Sequence, residues 1–592
     1  MDFFGAVKLF GGLALFLYGM SILGTGLERV SGGRLEKTLE ALTNTVIKGV
    51  LLGALVTGAI QSSSATTVIV VGLVNARVLK LRNAIGVIMG ANIGTTITAH
   101  IIRLTDLESS NFLLMILKPT TLAPLASIVG IILFMASKRG RRQDIGQILL
   151  GFGILFTGMF AMEEAVRPLG EVPAFQQLFS TFANPVIGVL VGAVVTAVIQ
   201  SSSASVGILQ ALSSTGHITY AMAFPIIMGQ NIGTTITPIL ASIGASKNAK
   251  RAAAIHVSFN ILGTIIFLIG CYTIQYTIGF PFWDQAIDKG GIANFHTIFN
   301  VVVTMLFIPF AWVLEKIACA LVKDSPDDAV QDVTAIELDE RLMISPGLAV
   351  DHARSAVVEM ALIAQHNFIN SIGLLENYDF KVVERINENE NVLDKLEDRL
   401  ETYLVKLSEY ELSESDSRNV TELLHISGEF ERIGDHATNI MESAQRLFET
   451  KTTFSKKATE ELHMLCEAIN EIIDLAIDAF QNRNVYSAAS IEPLEEVIDE
   501  IEQSLKDKHI NRLRKGKCTV EAAFPYVETL SNLERIADHC SNVGISVITY
   551  ADDDMAMIDR HDYLRQLHKG QTEDYQEKYA VYSAKFLPKT KK

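Results

Sequence analysis

The chain has 592 residues, 49% of them apolar, and a formal net charge of −16. The negative charge disfavours nucleic acid as a partner. Five cysteines without a Cys-x-x-Cys or other paired spacing favour a reducing, cytosolic side and argue against disulfides. The sequence has no nucleophile–base constellation and no nucleotide-binding glycine loop, so an enzyme is the least favoured class.

Apolar residues are distributed unevenly along the chain. Roughly the first 320 residues are long apolar blocks separated by short loops, and the remainder is rich in charged residues. This pattern predicts a domain embedded in the lipid bilayer, followed by a water-soluble domain. The N-terminal apolar run has no small-residue cleavage site, which predicts a retained first helix rather than a signal peptide.

Seven apolar segments are about long enough to cross a hydrocarbon core of ~30 Å. They are Phe3–Thr25, Asn83–Ile102, Phe112–Ala136, Ile145–Glu163, Tyr220–Ala241, Ala252–Cys271 and Asn294–Trp312. Two further blocks, Val46–Val74 and Pro185–Ser213, are longer than one crossing and too short for two, because each would make a straight helix of about 43 Å. We predict that each is a re-entrant hairpin of two half-helices.

The two predicted hairpins contain the same polar motif at their tips. Gln61-Ser62-Ser63-Ser64 returns as Gln200-Ser201-Ser202-Ser203, 139 residues later. The same offset relates Asn92-Ile93-Gly94-Thr95-Thr96 to Asn231-Ile232-Gly233-Thr234-Thr235, and no gap is needed between Gly12 and Thr98. Such a register predicts a duplicated structural unit.

Lysine and arginine residues set the predicted topology. They cluster near residues 29–48, 77–82, 138–142, 247–251 and 316–323, and the positive-inside tendency places all five clusters in the cytoplasm. Seven spans then put the N-terminus outside and the soluble domain inside. Three spans separate the starts of the two repeats, so the repeats are inverted, as is typical of alternating-access transporters.

The repeated motifs offer ligands for an anion and for cations. Helix ends at the hairpin tips suit an anion, and the serine hydroxyls and the amides of Gln61 and Gln200 can face phosphate oxygens or a hard cation. Glycines flanking Asn92 and Asn231 are expected to loosen their helices and free carbonyls for Na+. Neither motif contains a charged residue, so co-bound cations would balance an anion. The alternative is that these small polar residues only help helices to pack.

A second pair of motifs lies on late spans. His256 with Asn260, and His296 with Asn300, are each one helical turn apart. An intramembrane histidine is a functional candidate, and a structural pairing between antiparallel helices is an equally favoured alternative.

Together the doubled Gln-Ser-Ser-Ser and the doubled Gly-x-Asn-Ile-Gly-Thr-Thr resemble the Na+/phosphate cotransporter family over about residues 1–320. The resemblance implies symport of inorganic phosphate with Na+ as the coupling ion, at one central site built by both repeats, in a multi-pass protein of the cytoplasmic (inner) membrane. Against 100 mV, moving a dianion inward costs roughly 4.6 kcal/mol, which favours coupling to a cation. At least two Na+ are needed for neutrality, and a third would let the potential drive uptake. The candidate ligands are Gln61, Ser62, Ser63, Ser64, Asn92, Thr95, Thr96, Gln200, Ser201, Ser202, Ser203, Asn231, Thr234, Thr235, His256, Asn260 and Asn300.

An acidic, proline-containing linker, residues 323–339, precedes the soluble half. Residues 340–555 show long amphipathic helical patterns, and a polar tail, residues 556–592, follows. This half is also duplicated, because Glu431-Arg432-Ile433-x-Asp435-His436 returns as Glu534-Arg535-Ile536-x-Asp538-His539. Glu390 and Asp394 likewise return as Glu495 and Asp499.

Carboxylates four residues apart share a helix face, so two such helices in each predicted three-helix bundle would gather four of them, a site for a hard metal. A solvated helix face is the alternative. The signature resembles PhoU, a phosphate-regulation protein of two bundles, over roughly residues 340–555. The resemblance implies a divalent or iron-type metal on these faces and a role in restraining or sensing phosphate flux. His436 and His539 are candidate outer ligands, with neighbours in their own helices as equally favoured partners.

The sequence therefore predicts an all-α, polytopic secondary active transporter, a sodium-coupled phosphate symporter regulated by a cytoplasmic PhoU-like domain. A phosphate exporter is the alternative in the same class, because sequence does not set the direction of flux. A phosphate-sensing membrane signalling protein is the alternative from another class, and two complete hairpins favour transport over it. Homodimerisation stays open.

Overall fold

The computed structural model describes residues 3–31, 45–75, 79–104, 119–136, 141–172, 184–323, 338–410, 412–551 and 573–587. Every regular element in these ranges is a helix, with one isolated bridge between Thr219 and Ala286. The predicted all-α fold is confirmed. Part of the third predicted span, most of the predicted linker and the start of the predicted tail lie outside the described residues.

Contacts divide the chain into two units. The first contains the described residues up to Lys323 together with Asp339–Leu348, and the second contains the described residues from Ala349 onward. The helices of the first unit are α1 (Phe3–Ser31), α2 (Val46–Ile60), α3 (Ser63–Asn75), α4 (Leu81–Arg103), α5 (Pro119–Ala136), α6 (Arg141–Val166), α7 (Pro185–Ile199), α8 (Ser202–Ser213), α9 (Tyr220–Gly233), α10 (Ile236–Ala241), α11 (Lys247–Thr277), α12 (Lys289–Phe307) and α13 (Ala311–Leu321). In the described part of the chain six helices, namely α1, α4, α5, α6, α11 and α12, are long and apolar enough to cross a membrane.

Each predicted hairpin consists of two short helices that break at the repeated motif. Gln61 ends α2 and Gln200 ends α7, and both adopt the left-handed conformation, with φ of 58° and 57°. The hydroxyl of the next serine then starts the second helix, since Ser62 accepts from the amide of Ala65 and Ser201 from that of Ala204. The motif is therefore a helix stop followed directly by a helix start. Insertion of the two pairs into the bilayer as re-entrant hairpins stays a prediction.

Two of the seven predicted spans are wrong as continuous helices, and a proline explains each. Tyr220–Ala241 is broken at Thr234 and Thr235, because Pro238 has no amide hydrogen to donate to the carbonyl four residues earlier. The equivalent of Pro238 in the first repeat is Ala99, and α4 runs unbroken there. The last predicted span, Asn294–Trp312, begins earlier, at Lys289, and ends at Phe307, two residues before Pro309.

Helices α1 and α6, which begin the two repeats, pack antiparallel through glycines. A Cβ atom on Gly12 would lie 2.9 Å from the carbonyl oxygen of Gly158, and one on Gly19 would lie 2.9 Å from that of Gly151. Gly12 and Gly151 are equivalent positions, as are Gly19 and Gly158. The same pair of contacts is therefore obtained if each glycine is replaced by its equivalent in the other repeat. The two helices that make these contacts run in opposite directions. This is the arrangement that inverted repeats require.

The remaining helices form the PhoU-like part of the chain. They are α14 (Pro346–Glu376), α15 (Phe380–Ser408), α16 (Glu414–Glu449), α17 (Lys456–Asn482), α18 (Val485–Arg514), α19 (Val520–Ala551) and α20 (Glu573–Phe586). The first three pack together, as the bonds of Asn389 to Asn367 and of Arg354 to Glu422 show. The next three form the second bundle, in which Arg512 bonds Glu461. The two predicted three-helix bundles are confirmed.

The predicted polar tail contains a structured element. Helix α20 packs on α18 with Tyr575 and Phe586 buried, and the Lys578 ammonium lies 4.2 Å from the centroid of the Tyr486 ring. Periodicity missed this helix because its apolar positions are few and aromatic. The C-terminal helix therefore adds a fourth helix to the second bundle.

Candidate functional site

The tips of the two helix pairs meet at equivalent residues. The hydroxyl oxygens of Ser63 and Ser202 lie 3.5 Å apart, and the Ser64 hydroxyl donates to the carbonyl oxygen of Gln200 at 3.3 Å. Ser63, Ser202 and Ser203 are buried, in the first turns of α3 and α8. The two motifs, 139 residues apart in sequence, are thus parts of one site.

A cavity of about 290 Å³ lies at this meeting point. Its walls are all eight residues of the two Gln-Ser-Ser-Ser motifs together with Ile60, Ala65 and one face of α1, from Leu17 to Thr25. Among the described residues that line it, none carries a charge. The N-terminal ends of α3 and α8 both reach the cavity, and such ends carry partial positive charge and free amide groups. The cavity therefore offers hydroxyl, amide and backbone ligands in a neutral setting.

Thr98 links the two motifs and was missed by the sequence interpretation. Its hydroxyl donates to the side-chain oxygen of Gln61 at 2.8 Å and accepts from the Ser203 hydroxyl at 3.3 Å. Thr98 lies on α4 and is buried. A signal for it existed, because the gap-free repeat pairs Thr98 with Thr237. The Thr237 hydroxyl has no hydrogen-bond partner among the described residues, so the repeats differ at this position.

Asn92 and Asn231 do not line the cavity. The Asn92 amide donates to Asn260 at 2.7 Å, and its oxygen lies 3.2 Å from Nε2 of His256. Asn231 makes the corresponding contacts with Asn300 and His296, both at 3.4 Å. All six side chains are buried. Of the two interpretations of His256 and His296, this geometry fits structural pairing: each His–Asn pair holds the asparagine of one repeated motif.

The threonines of the second motif bond within their own helices. Thr95 donates to Ala91 and Thr96 to Ile93, and Thr234 and Thr235 donate to Gln230 and Ile232, at 2.7 to 3.1 Å. These hydroxyl protons are therefore used, and only oxygen lone pairs remain for a cation. None of these four residues lines the cavity.

The glycines around Asn92 have a role different from the expected one. Helix α4 is continuous through Gly90 and Gly94, so the prediction that they free its carbonyls is wrong. A Cβ atom on Gly90 would lie 2.1 Å from the carbonyl oxygen of Val50, and one on Gly94 would lie 2.6 Å from that of Ala54. Both glycines let α4 approach the backbone of α2 directly, as small residues do in membrane helices.

In the first PhoU-like bundle the four predicted carboxylates interact with one another. Burial, together with the nearby carboxyl groups of Asp435 and Asp394, raises the pKa of Glu390 to about 8. Burial and the charge of Asp435 raise the pKa of Glu431 to about 7. Glu397, which the sequence interpretation omitted, also faces this cluster.

The second bundle repeats the cluster, and Glu492 also faces it. Burial and the charges of Glu492 and Asp499 raise the pKa of Glu495 to about 9. Burial and the charges of Glu534 and Asp538 raise the pKa of Asp499 to about 6. Within the described ranges no three of these side chains are positioned to hold a metal ion. Both clusters nevertheless have the oxygen donors that a hard cation prefers, and a cation would relieve their mutual repulsion.

His436 and His539 join the two bundles. Nδ1 of His436 lies 2.8 Å from Oδ1 of Asn532, and Nδ1 of His539 lies 2.7 Å from Oε2 of Glu429. The two imidazole rings stack with their centroids 5.4 Å apart. Of the two alternatives, partners within the same helix are not what the structure shows, because each histidine bonds a side chain on a helix of the other bundle.

Comparisons with known proteins match both halves of the chain. A family profile described as Na+/Pi-cotransporter matches residues 15–164 and 158–280, and a PhoU domain profile matches residues 357–444 and 462–547. An Escherichia coli (strain K12) protein, YjbB, whose name proposes inorganic phosphate export, is 24% identical over 554 residues, which are 93% of this chain and 98% of the relative.

Two other relatives match smaller parts of this chain. The uncharacterized protein YqeW of Bacillus subtilis (strain 168) is 32% identical over 298 residues, which are 50% of this chain and 92% of the relative. The sodium-dependent phosphate transport protein 2B of Homo sapiens is 34% identical over 137 residues, 21% of this chain and 20% of that relative.

Proposed function

The chain belongs to the Na+/Pi-cotransporter family and also contains PhoU domains, and from this premise we propose that it moves inorganic phosphate across a membrane together with Na+. The observation that carries the proposal is the meeting of equivalent residues, Ser63 and Ser202, at a cavity lined by both repeated motifs. At ~30 Å³ per water molecule, this cavity has room for a phosphate ion with small cations.

The chemistry of the cavity supports coupling to a cation. Two helix N-termini and the serine hydroxyls supply donors for an anion. Since no described side chain on the wall is charged, bound Na+ is the partner that would neutralise phosphate in a site of low dielectric. The relative from Homo sapiens is named for sodium dependence, and its similarity covers only about a fifth of each chain.

Net export of phosphate is the second candidate. The relative that matches 93% of this chain carries a name that proposes phosphate export. An alternating-access site runs in either direction, and the gradients of its substrates decide which one prevails. Export and uptake therefore share the site proposed above and differ in the conditions that drive them.

We further propose that the PhoU-like part restrains transport and that a divalent or iron-type metal occupies its carboxylate clusters. Glu390, Asp394, Glu431 and Asp435 would hold it in the first bundle, and Glu495, Asp499, Glu534 and Asp538 in the second. The raised pKa values of Glu390 and Glu495 indicate crowded carboxylates that a cation would stabilise. A bound ion would join two helices of each bundle through these side chains.

The decisive experiment measures phosphate-32 flux in proteoliposomes containing the full-length protein. An inward Na+ gradient is expected to accelerate uptake over an equal K+ gradient, and reversal of the gradient is expected to drive efflux. Phosphate binding with no flux under either gradient would favour the signalling interpretation instead. Flux that is identical in Na+ and K+ would contradict sodium coupling while leaving phosphate transport intact.

A further inference from the structure

A buried ion pair joins two helices at one end of the membrane unit. The Nζ atom of Lys289, the first residue of α12, lies 2.5 Å from Oε1 of Glu163 on α6. The two side chains are only 5% and 15% exposed. Neither residue belongs to a repeated motif, and the transport site described above uses neither. Ionisable side chains in membrane segments are rare, and they commonly lie on the path of an ion or a substrate.

Gln210 links the second hairpin to the backbone of Lys289. Its amide nitrogen donates to the carbonyl oxygens of Lys289 and Ala99, both at 3.0 Å. Gln210 lies on α8, eight residues after Ser202, and is fully buried. One side chain thus connects the second helix of a hairpin to α12 and α4. Any movement that opens this end must break these bonds.

The end of the membrane unit that contains Lys289 and Glu163 is remote from the cavity. Because α1 and α6 are antiparallel, with Gly12 facing Gly158, Glu163 lies beside the beginning of α1. The cavity instead extends along α1 from Leu17 to Thr25. Nine residues separate residue 8 from Leu17, about 14 Å along the helix. The ion pair therefore lies at the end of α1 opposite to the half that lines the cavity.

The polar bonds at the other end are different ones: Asn75 at the end of α3 accepts from the amide of Ser246 at 2.7 Å, and Arg29 of α1 donates to Gln147 of α6 at 3.4 Å. The repeat places Gly24 where Glu163 lies and Val71 where Gln210 lies. Neither glycine nor valine has a side-chain group that can form a hydrogen bond, and Gly24 lines the cavity. The end that contains Lys289 and Glu163 therefore has a buried charged contact that must be exchanged for another one when this end opens.

We propose that Lys289 is a gating residue that exchanges Glu163 for the transported phosphate when this end opens. The proposal rests on the proposed function, because it takes phosphate as the anion that passes. A buried ammonium group without a partner is strongly destabilising, so an ion pair that must break is replaced by another one. Phosphate is a dianion that competes with the Glu163 carboxylate for the same cation. Glu163 holds Lys289 when no phosphate is present.

This exchange predicts opposite effects for the two partners. Glu163→Gln removes the competitor and leaves Lys289 to bind phosphate, so the KM for phosphate falls. Lys289→Met removes the cation that phosphate binds, so the KM rises. A merely structural ion pair predicts instead that both substitutions lower stability and transport rate together. The sign of the change in KM therefore separates the two roles.

The test measures phosphate-32 transport by the full-length protein in right-side-out and in inverted membrane vesicles. From one of the two faces, Glu163→Gln is expected to lower the KM about threefold to tenfold, and Lys289→Met to raise it about tenfold or more. Lys289→Arg, which keeps the charge, is expected to restore a KM near the wild-type value. The matched controls are Lys8→Met and Glu164→Gln, since this neighbouring ion pair of 2.6 Å is 46% and 72% exposed.

Measurement of phosphate binding at equilibrium tests the same prediction in variants that do not transport. Binding of phosphate-32 by the purified variants is expected to show the same opposite shifts in Kd. Glu163→Ala and Lys289→Gln, which remove the same charges, replace any variant that does not fold. Shifts in the same direction, or a change in Vmax alone, would overturn the gating role while the proposed function stands. A wild-type protein that neither binds nor moves phosphate would overturn both.

Discussion

Ser63 and Ser202 hold equivalent positions in the two repeats, and their hydroxyl oxygens lie 3.5 Å apart. Equivalent residues of a repeat pair approach each other only near the axis that relates the repeats. The cavity therefore lies close to that axis, and all eight residues of the two Gln-Ser-Ser-Ser motifs line it. A site placed there can be reached from either side by equivalent movements of the two repeats, which is the geometric requirement of alternating access.

Removing either serine hydroxyl is expected to impair transport. Ser63→Ala or Ser202→Ala deletes one donor to a charged ligand, and such bonds contribute about 1.5–3 kcal/mol, so flux at low phosphate should fall about tenfold to a hundredfold. The measurement is sodium-driven phosphate-32 uptake into proteoliposomes, with insertion checked by detergent extraction.

The matched control for these variants is Ser127→Ala. Ser127 lies on α5, does not line the cavity, and donates within its own helix to the carbonyl oxygen of Ala123. Wild-type uptake in both Ser63→Ala and Ser202→Ala would remove these hydroxyls from the site.

Labelling of introduced cysteines tests the predicted topology. Arg142 at the start of α6 and Glu171 after its end are both exposed. In a background without the five native cysteines, Arg142→Cys and Lys247→Cys are expected to react only from the cytoplasmic side, and Glu171→Cys only from outside. The measurement is modification of intact cells by a membrane-impermeant maleimide. Reaction of residues 142 and 171 from the same side would exclude inverted repeats.

The carboxylate clusters predict an unusual dependence of stability on pH. Burial and neighbouring carboxylates raise the pKa of Glu495 from 4.5 to about 9, and that of Glu390 from 4.5 to about 8. The folded protein therefore keeps protons that the unfolded chain releases, so without metal the stability falls as the pH rises from about 5 to about 9. After allowance for solvent screening, the loss for Glu495 is on the order of 1–2 kcal/mol.

Glu495→Gln is expected to reduce this loss. The measurement is thermal unfolding of the full-length protein, followed by circular dichroism in chelator at pH 6 and pH 9. Asp507→Asn is the matched control, since Asp507 lies on the same helix and is exposed. If Glu495→Gln and Asp507→Asn lose stability equally between the two pH values, the carboxylate cluster does not set the pH dependence.

Local patterns in the sequence account for much of the candidate site. The breaks at Gln61 and Gln200 could be predicted because a helix length, a turn and a serine cap coincide there. The repeat register also paired Ser63 with Ser202. By contrast, the ion pair between Lys289 and Glu163 joins residues 126 positions apart that share no motif, so only the fold reveals it. Pro238 could have predicted the break at Thr234. The first repeat has alanine at the equivalent position, so reading the two repeats as identical predicted a continuous helix instead.

The PhoU-like part shows the same division between local and long-range information. A four-residue spacing placed Glu390 and Asp394 on one helix face, and the facing carboxylates could be predicted from the repeat. The contact of His539 with Glu429 depends instead on how two bundles pack. Periodicity within one helix contains no information about that packing.

A contact near the junction of the two units refines the test of regulation. Leu342 belongs to the 3₁₀ helix Glu340–Ile344 and is fully buried in the membrane unit. A Cβ atom on Gly72 of α3 would lie 2.8 Å from Cδ2 of Leu342. Gly72 lies nine residues after Ser63, about 14 Å along the helix that begins at the cavity. The residues just before the PhoU-like part therefore pack on the first hairpin.

Two truncations separate loss of restraint from loss of this packing. Truncation after Leu348 keeps Leu342, and truncation after Lys323 removes it. Because both hairpins precede residue 301, each truncated protein is expected to remain a sodium-dependent carrier whose rate no longer responds to internal phosphate or to divalent metal.

If metal holds the restraining conformation, removing the carboxylates should reproduce that unresponsive state in the full chain. The variant combines Glu431→Ala and Asp435→Ala with Glu534→Ala and Asp538→Ala. Only the protein truncated after Lys323, or Leu342→Ala in the full chain, should also lose about 2–5 kcal/mol of the stability that this packing contributes. The loss would be measured as faster amide hydrogen exchange in α3. A protein truncated after Leu348 that is monodisperse and inserted, yet moves no phosphate, would show that the PhoU-like part completes the transporter rather than restraining it.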